Sequence, residues 1–184
     1  MTGLASRGQL RASIIRWSLF TIPACVLLGF VAGSLFSSGP DNPWFAMLEK
    51  PAIYPPPALF GIVWTILYIM MGFALALVCA AWGARGRTLA IVLFAVQFVI
   101  NLAWTPTFFG AQEITLALVV IGALNIALIA TIVAFWRVRT LAGILLLPYL
   151  AWVLFATLLN YEFLAANPNY DAAIPSSAVE RIEL

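Results

Sequence analysis

Five long apolar runs divide this chain, at residues 14–36, 59–82, 89–109, 114–136 and 141–164. Each reaches the roughly 20 residues a helix needs to cross the hydrocarbon core of a bilayer. None alternates polar and apolar positions as a half-buried strand would. Backbone polar groups in lipid must be satisfied internally, so only helices or closed barrels span. The pattern predicts an all-α membrane protein, a bundle of five transmembrane helices. The chain then divides into a basic N-terminal segment (1–13), a five-helix domain (14–166) whose loop 37–58 serves as a lid, and a polar tail (167–184) expected to be disordered.

Composition agrees. Hydrophobic residues make up 64% of the chain and charged residues only 9%, too few to cover a water-facing surface. The charges also set a topology. Arg7, Arg11 and Arg16 precede the first run, Arg85 and Arg87 join the second to the third, and Arg137 and Arg139 join the fourth to the fifth. All seven acids fall on the opposite side. The positive-inside rule predicts an N-terminus inside and a C-terminus outside, and a basic N-terminus suits a bacterial cytoplasmic membrane. A competing reading takes the first run as a signal peptide cleaved near Ala32-Gly33-Ser34, although its length is great for one. The net charge of +2 is topological and points to no nucleic-acid partner.

The chain has no histidine, which excludes histidine ligation of haem or metal and a serine–histidine relay. No acidic or basic residue lies near the middle of a span; Glu162 comes closest, a few residues from an end. That argues against an ion-driven pump. No metal site is expected. Cys25 and Cys79 both lie in apolar runs and read as packed thiols. The polar groups within the spans are neutral amides: Gln97, Asn101, Asn125 and Asn160. Such amides either bridge helices or orient a ligand, and both readings stay open.

The seven tryptophans fall into two sets. Trp17, Trp82 and Trp136 lie at the inner ends of their runs, where indoles form an interfacial belt. Trp64, Trp104 and Trp152 lie within spans, and Trp44 lies in the long loop. On a helix, Gln97, Asn101, Trp104 and Phe108 share one face, as do Tyr149, Trp152, Ala156 and Asn160. Aromatic packing between helices accounts for each indole singly. Together with the amides and the small Ala156 they outline a pocket open toward the outer side, suited to a flat hydrophobic ligand. The loop carries Pro40, Pro43, Pro51, Pro55, Pro56 and Pro57, and residues 42–48 fit a short helix. Trp44, Phe45 and Tyr54 need an apolar seat, which favours a structured lid over a loop resting on the membrane. Pro23, Pro106 and Pro148 are candidate kinks, and Gly29 and Gly33 make a GxxxG that serves either a dimer seam or packing within one bundle.

Four blocks resemble the tryptophan-rich sensory proteins, the TspO/translocator protein family. They are Trp44-Phe45-Ala46-Met47-Leu48-Glu49-Lys50-Pro51 with Pro55-Pro56; Trp64-Thr65-Ile66-Leu67-Tyr68 with Met71-Gly72; Gln97 and Asn101 with Trp104, Pro106 and Phe108-Phe109-Gly110; and Pro148-Tyr149-Leu150-Ala151-Trp152 with Leu159-Asn160-Tyr161. The resemblance implies a five-helix bundle, often a homodimer, that binds protoporphyrin-type tetrapyrroles beneath its first loop and needs no cofactor. By position it assigns the pocket to Phe60, Val63, Trp64, Asn101, Trp104, Trp152, Ala156 and Leu159, with Trp44, Phe45 and Pro51 in the lid. The first function it implies is a receptor or sensor that modulates tetrapyrrole traffic or stress signalling. A second is light-dependent porphyrin degradation using Trp64 and Trp152, and a third is transport of a tetrapyrrole or lipid, for which the sequence marks no energy source. Two departures stand out. Ala52, Ile53 and Tyr54 replace a lid stretch that usually carries another indole, and Tyr161 is followed by no basic residue before Arg181, so the sterol motif of animal relatives is missing.

Overall fold

The computed structural model describes residues 7–170. Helix α1 (Arg7–Leu35) leads through a turn to the short α2 (Pro43–Met47) inside the lid loop. Then follow α3 (Pro57–Cys79), α4 (Arg87–Thr105) with a π-turn at Pro106–Gly110, α5 (Ile114–Val138), α6 (Thr140–Leu145) and α7 (Leu147–Ala166). Five helical stretches are long and apolar enough to cross a membrane: Gly8–Leu35, Pro57–Cys79, Arg87–Gly110, Ile114–Val138 and Thr140–Ala166. No strand occurs among the described residues. The chain is an all-α, five-span membrane bundle. Of the expected tail, residues 171–184 lie outside the described residues, as do residues 1–6 of the basic segment.

The three span prolines act differently. Helix α1 continues through Pro23. At Pro106 the missing N–H coincides with the π-turn, closed by the Ala111 amide donating to Pro106 O over 2.8 Å; a wider turn of this kind is common where a proline interrupts the i to i−4 ladder. Pro148 cannot donate back to residue 144, and the fifth span breaks at Leu146 into α6 and α7.

Small residues set the helix spacing. A Cβ on Gly72 would lie 2.6 Å from the Ile22 Cα, so α1 and α3 meet backbone to backbone there. Thr21 Oγ1 lies 2.7 Å from Gly72 O and 2.9 Å from Trp17 O, sharing its one proton across the seam. Gly29 faces the Tyr68 ring, where any side chain would collide, so this part of the GxxxG is used within one bundle. Arg87 donates to Cys79 O through Nη2 (2.8 Å) and Nε (3.2 Å) and lies over the Trp82 ring, capping the end of α3. Trp17 approaches Trp82 at 6.5 Å at the same end of the bundle. Cys25 and Cys79 are buried and unbridged.

The lid is packed, not splayed. Asn42 caps α2 by accepting from the Phe45 amide at 3.1 Å, and α2 turns Trp44 and Phe45 down onto Phe108, Leu159 and Phe163. Trp44 meets Phe108 edge-on at 5.5 Å, and Phe45 lies 5.5 Å from Phe163.

Candidate functional site

Beneath the lid the bundle encloses a cavity of about 620 Å³. All five spans and the loop contribute. Helix α1 supplies Gly29, Phe30 and Gly33; α3 supplies Phe60, Gly61, Trp64 and Tyr68; α4 supplies Asn101 and Trp104, and the π-turn Phe108 and Phe109. Ile121 and Leu124 of α5 close one side, and Trp152, Ala156, Leu159 and Asn160 of α7 another. Phe45 and Tyr54 roof it.

The two aromatic stripes of the sequence converge here. Both also dip below the cavity, where Tyr149 donates to Gln97 Oε1 at 3.2 Å. One level up, Tyr68 donates to Asn101 Oδ1 at 3.3 Å. Trp104 Nε1 donates to Asn160 Oδ1 at 3.0 Å, and Asn160 Nδ2 donates to Ile114 O at 3.1 Å. Asn125 bridges α5 to α7 through Thr157 Oγ1 at 2.9 Å. Each amide therefore ties helices together, and two of them, Asn101 and Asn160, also face the cavity. Not every polar atom here is paired: Trp152 Nε1 and Gln97 Nε2 are buried donors with no acceptor, and Asn125 Oδ1 is a buried acceptor with no donor. A buried donor left unpaired costs about 1–3 kcal/mol.

Of the residues expected at the site, Phe45, Phe60, Trp64, Asn101, Trp104, Trp152, Ala156 and Leu159 line the cavity together. Three stand elsewhere. Trp44 is spent on seating α2 against Phe108, and Val63 packs into the helix core beside the cavity. Pro51 accepts from the Tyr54 amide at 2.9 Å, forming the turn that delivers Tyr54 to the roof. The Tyr54 ring lies within 5.7–5.9 Å of those of Phe45, Phe60 and Phe163. Burial raises its phenol pKa above the usual value. Lys50 binds Phe45 O (2.5 Å) and Leu48 O (2.7 Å) and lies over the Phe45 ring, pinning the lid from above; desolvation lowers its pKa.

Asn167 is absent from every expectation about the site. It is 2% exposed. Its Oδ1 accepts from the Glu49 amide at 2.7 Å and its Nδ2 donates to Glu49 O at 2.9 Å, clasping the lid to the end of α7. Its place in the polar segment after the last span hides it; the only signal is an amide at the C-terminal end of a helix, a common capping position. The α1 wall was equally unannounced, because a helix apolar on all sides does not declare which face turns inward. Cleavage after Ser34 would remove that wall.

Comparison with known proteins agrees with this geometry. The TspO/MBR family model matches residues 21–165, from the second half of the first span through the lid to the end of the fifth. The tryptophan-rich protein TspO of Chlorobaculum tepidum is 45% identical over 80% of this chain and 93% of its own length. The human translocator protein is 41% identical over 73% of this chain and 80% of its own, and protein CrtK of Rhodobacter capsulatus is 36% identical over 79% and 89%. With the family's match running from the first span to the last, this five-span membrane protein belongs to the TspO/MBR family.

Proposed function

We propose that the protein is a membrane receptor that binds a flat tetrapyrrole of the protoporphyrin type beneath its lid, and that occupancy carries a signal about tetrapyrrole traffic or stress. The observation that carries this reading is the cavity: about 620 Å³, inside the roughly 300–1,000 Å³ range of small-molecule sites, with three indoles and two amides on its walls. Indole faces stack on flat rings, while a few polar groups orient them. Relatives bearing the names sensory protein and translocator protein are compatible with a ligand-responsive role.

Titration with protoporphyrin IX in the dark, followed by tryptophan quenching, tests it. Saturation near one ligand per chain is expected. Trp152→Phe shrinks the aromatic face on the cavity wall and weakens binding roughly fivefold; Trp17→Phe, at the far end of the bundle, leaves it unchanged. Quenching that never saturates, or that ignores Trp152, would sink the reading.

A second reading, light-driven porphyrin degradation, draws on Trp64 and Trp152 lining the same cavity, with Trp64 stacked 5.2 Å from Tyr68. It requires a new absorbing product from the illuminated complex that is lost in Trp64→Phe. Bleaching identical to that of free porphyrin rules it out.

A further inference from the structure

We propose that the arginine-bearing end of α1 carries a site for an anionic phospholipid, with one acyl chain in a groove against α3 and the phosphate at Arg11. The site lies outside the cavity beneath the lid and does not depend on what that cavity holds.

The groove has a volume of about 460 Å³. Ile14, Ile15, Ser18, Leu19 and Ile22 line it from α1, Phe73 lines it from α3, and Pro23 closes the list at its deeper end. Its position follows from the packing. At Gly72 the α3 backbone presses on Ile22, and beside that contact the small Ser18 leaves the space between Ile14 and Ile22 unfilled. Helix α1 is the least buried of the five spans. Ile15 and Leu19 are exposed, so no other helix among the described residues covers this face.

Length and charge both fit one lipid. From Ile14 to Pro23 the groove runs about 14 Å at the helical rise, close to the roughly 15 Å of hydrocarbon in one leaflet. Arg11, Ile15, Ser18 and Ile22 follow i, i+4, i+7, i+11 spacing on one helix. One face therefore carries the groove and, a turn beyond it, a guanidinium. Arg11 is exposed. The acids among the described residues, Asp41, Glu49, Glu113 and Glu162, all belong to the lid end, which leaves Arg11 no carboxylate at its own end. Trp17 and Trp82, paired there at 6.5 Å, mark the headgroup boundary.

Hydrocarbon alone does not discriminate, because a chain that enters the groove leaves equally apolar surroundings. Shape fixes where the chain lies; charge decides which headgroup follows it. A choline headgroup offers a phosphate but brings its own cation to compete. A glycerol headgroup leaves the phosphate to the guanidinium, whose planar fork matches it. A second copy of this chain seated two-fold on the same face would set Arg11 against its own like charge.

The test mixes the full chain in uncharged detergent with equal amounts of dioleoyl phosphatidylglycerol and dioleoyl phosphatidylcholine, and counts bound lipid by native mass spectrometry. The first lipid bound should be phosphatidylglycerol by roughly fivefold, the value of one basic residue at an anionic headgroup. Arg11→Gln should abolish that preference, while Arg137→Gln, at the same end but off this face, should change it less than twofold. Ser18→Leu fills the groove without altering charge and should weaken the first phosphatidylglycerol roughly threefold. Equal binding of the two lipids by the parent overturns the proposal. So does an Arg11→Gln effect no larger than that of Arg137→Gln, which would mean a diffuse positive surface. Phosphatidylglycerol binding untouched by Ser18→Leu also overturns it; if that variant in addition turns a dimer into monomers, the groove seats a second copy.

Discussion

At the end of the bundle that carries Arg85, Arg87, Arg137 and Arg139, the buried residues Ala74, Ala90 and Ala142 let the helices close up, and Phe94 stacks at 5.8 Å on both Phe98 and Phe135. At the lid end, Trp64, Trp104 and Trp152 stand around a cavity of about 620 Å³. Both ends are made of apolar side chains, and both sit in a solvent that gives helices little hydrophobic reason to associate. Shape and hydrogen bonds must then decide. Small residues allow backbones to touch, as at Gly72 against Ile22. Bulky indoles prop the helices apart, and amide bridges from Asn101 and Asn160 hold the gap at a defined width. One end is stable through contact; the other is stable through bracing around an opening, the site proposed for the ligand.

The largest effect is expected from breaking the close-packed end. Gly72→Val drives a branched side chain into the α1 backbone at Ile22, and overpacking of this kind costs about 1–3 kcal/mol. Thermal unfolding in detergent should fall by several degrees. If stability is unchanged while porphyrin affinity drops, the division of labour between the two ends is wrong.

A smaller effect follows from unfastening the braced end. Asn167→Ala removes the two hydrogen bonds that clasp Glu49 to α7, each with a net value of about 0.5–1.5 kcal/mol. The lid opens more often, so bound porphyrin leaves roughly three- to tenfold faster in a stopped-flow chase, and the Glu49 amide exchanges its hydrogen sooner. The melting temperature should move less than in Gly72→Val. An unaltered dissociation rate would mean that the buried rings of Trp44 and Phe45 hold the lid without help.

The smallest effect comes from pH. Burial raises the folded-state pKa of Tyr54 above its ordinary value of 10.0, so the neutral phenol's contribution to the lid is complete below pH 10 and is lost as pH rises through the raised value. Lys50, whose pKa desolvation lowers, loses its charge on the alkaline side as well, so ligand dissociation should quicken at alkaline pH and Tyr54→Phe should remove part of the change, leaving the part due to Lys50. An unchanged profile in Tyr54→Phe would assign the whole transition to Lys50.

Much of the lid end was legible in the chain. The stripe from Asn101 through Trp104 to Phe108 and the stripe from Trp152 through Ala156 to Asn160 follow helical spacing and meet at the cavity. The lid was legible from its prolines and from three aromatic rings that water would reject. The close-packed end was harder to read. Alanine and glycine are small wherever they stand, and nothing in their spacing distinguishes Gly72, pressed on α1, from Gly61, whose missing Cβ faces open space. Trp44 and Val63 show the opposite limit: the right residue types sit at the right depth, yet one is consumed by the lid and the other by the core.

By itself the sequence determined the five spans, the side of the bundle on which the arginines gather, and the inventory of indoles and amides, because these follow from run length, charge and helical period. Only the tertiary structure decided which face of each helix looks inward, which of two positions three residues apart lines the cavity, and that Asn167 reaches the lid across 118 positions of chain. The reason is physical. In water, a polar face and an apolar face tell the helix where to turn. In lipid, the surroundings are as apolar as the core, so orientation is left to steric fit and a few hydrogen bonds whose partners are far apart in the chain.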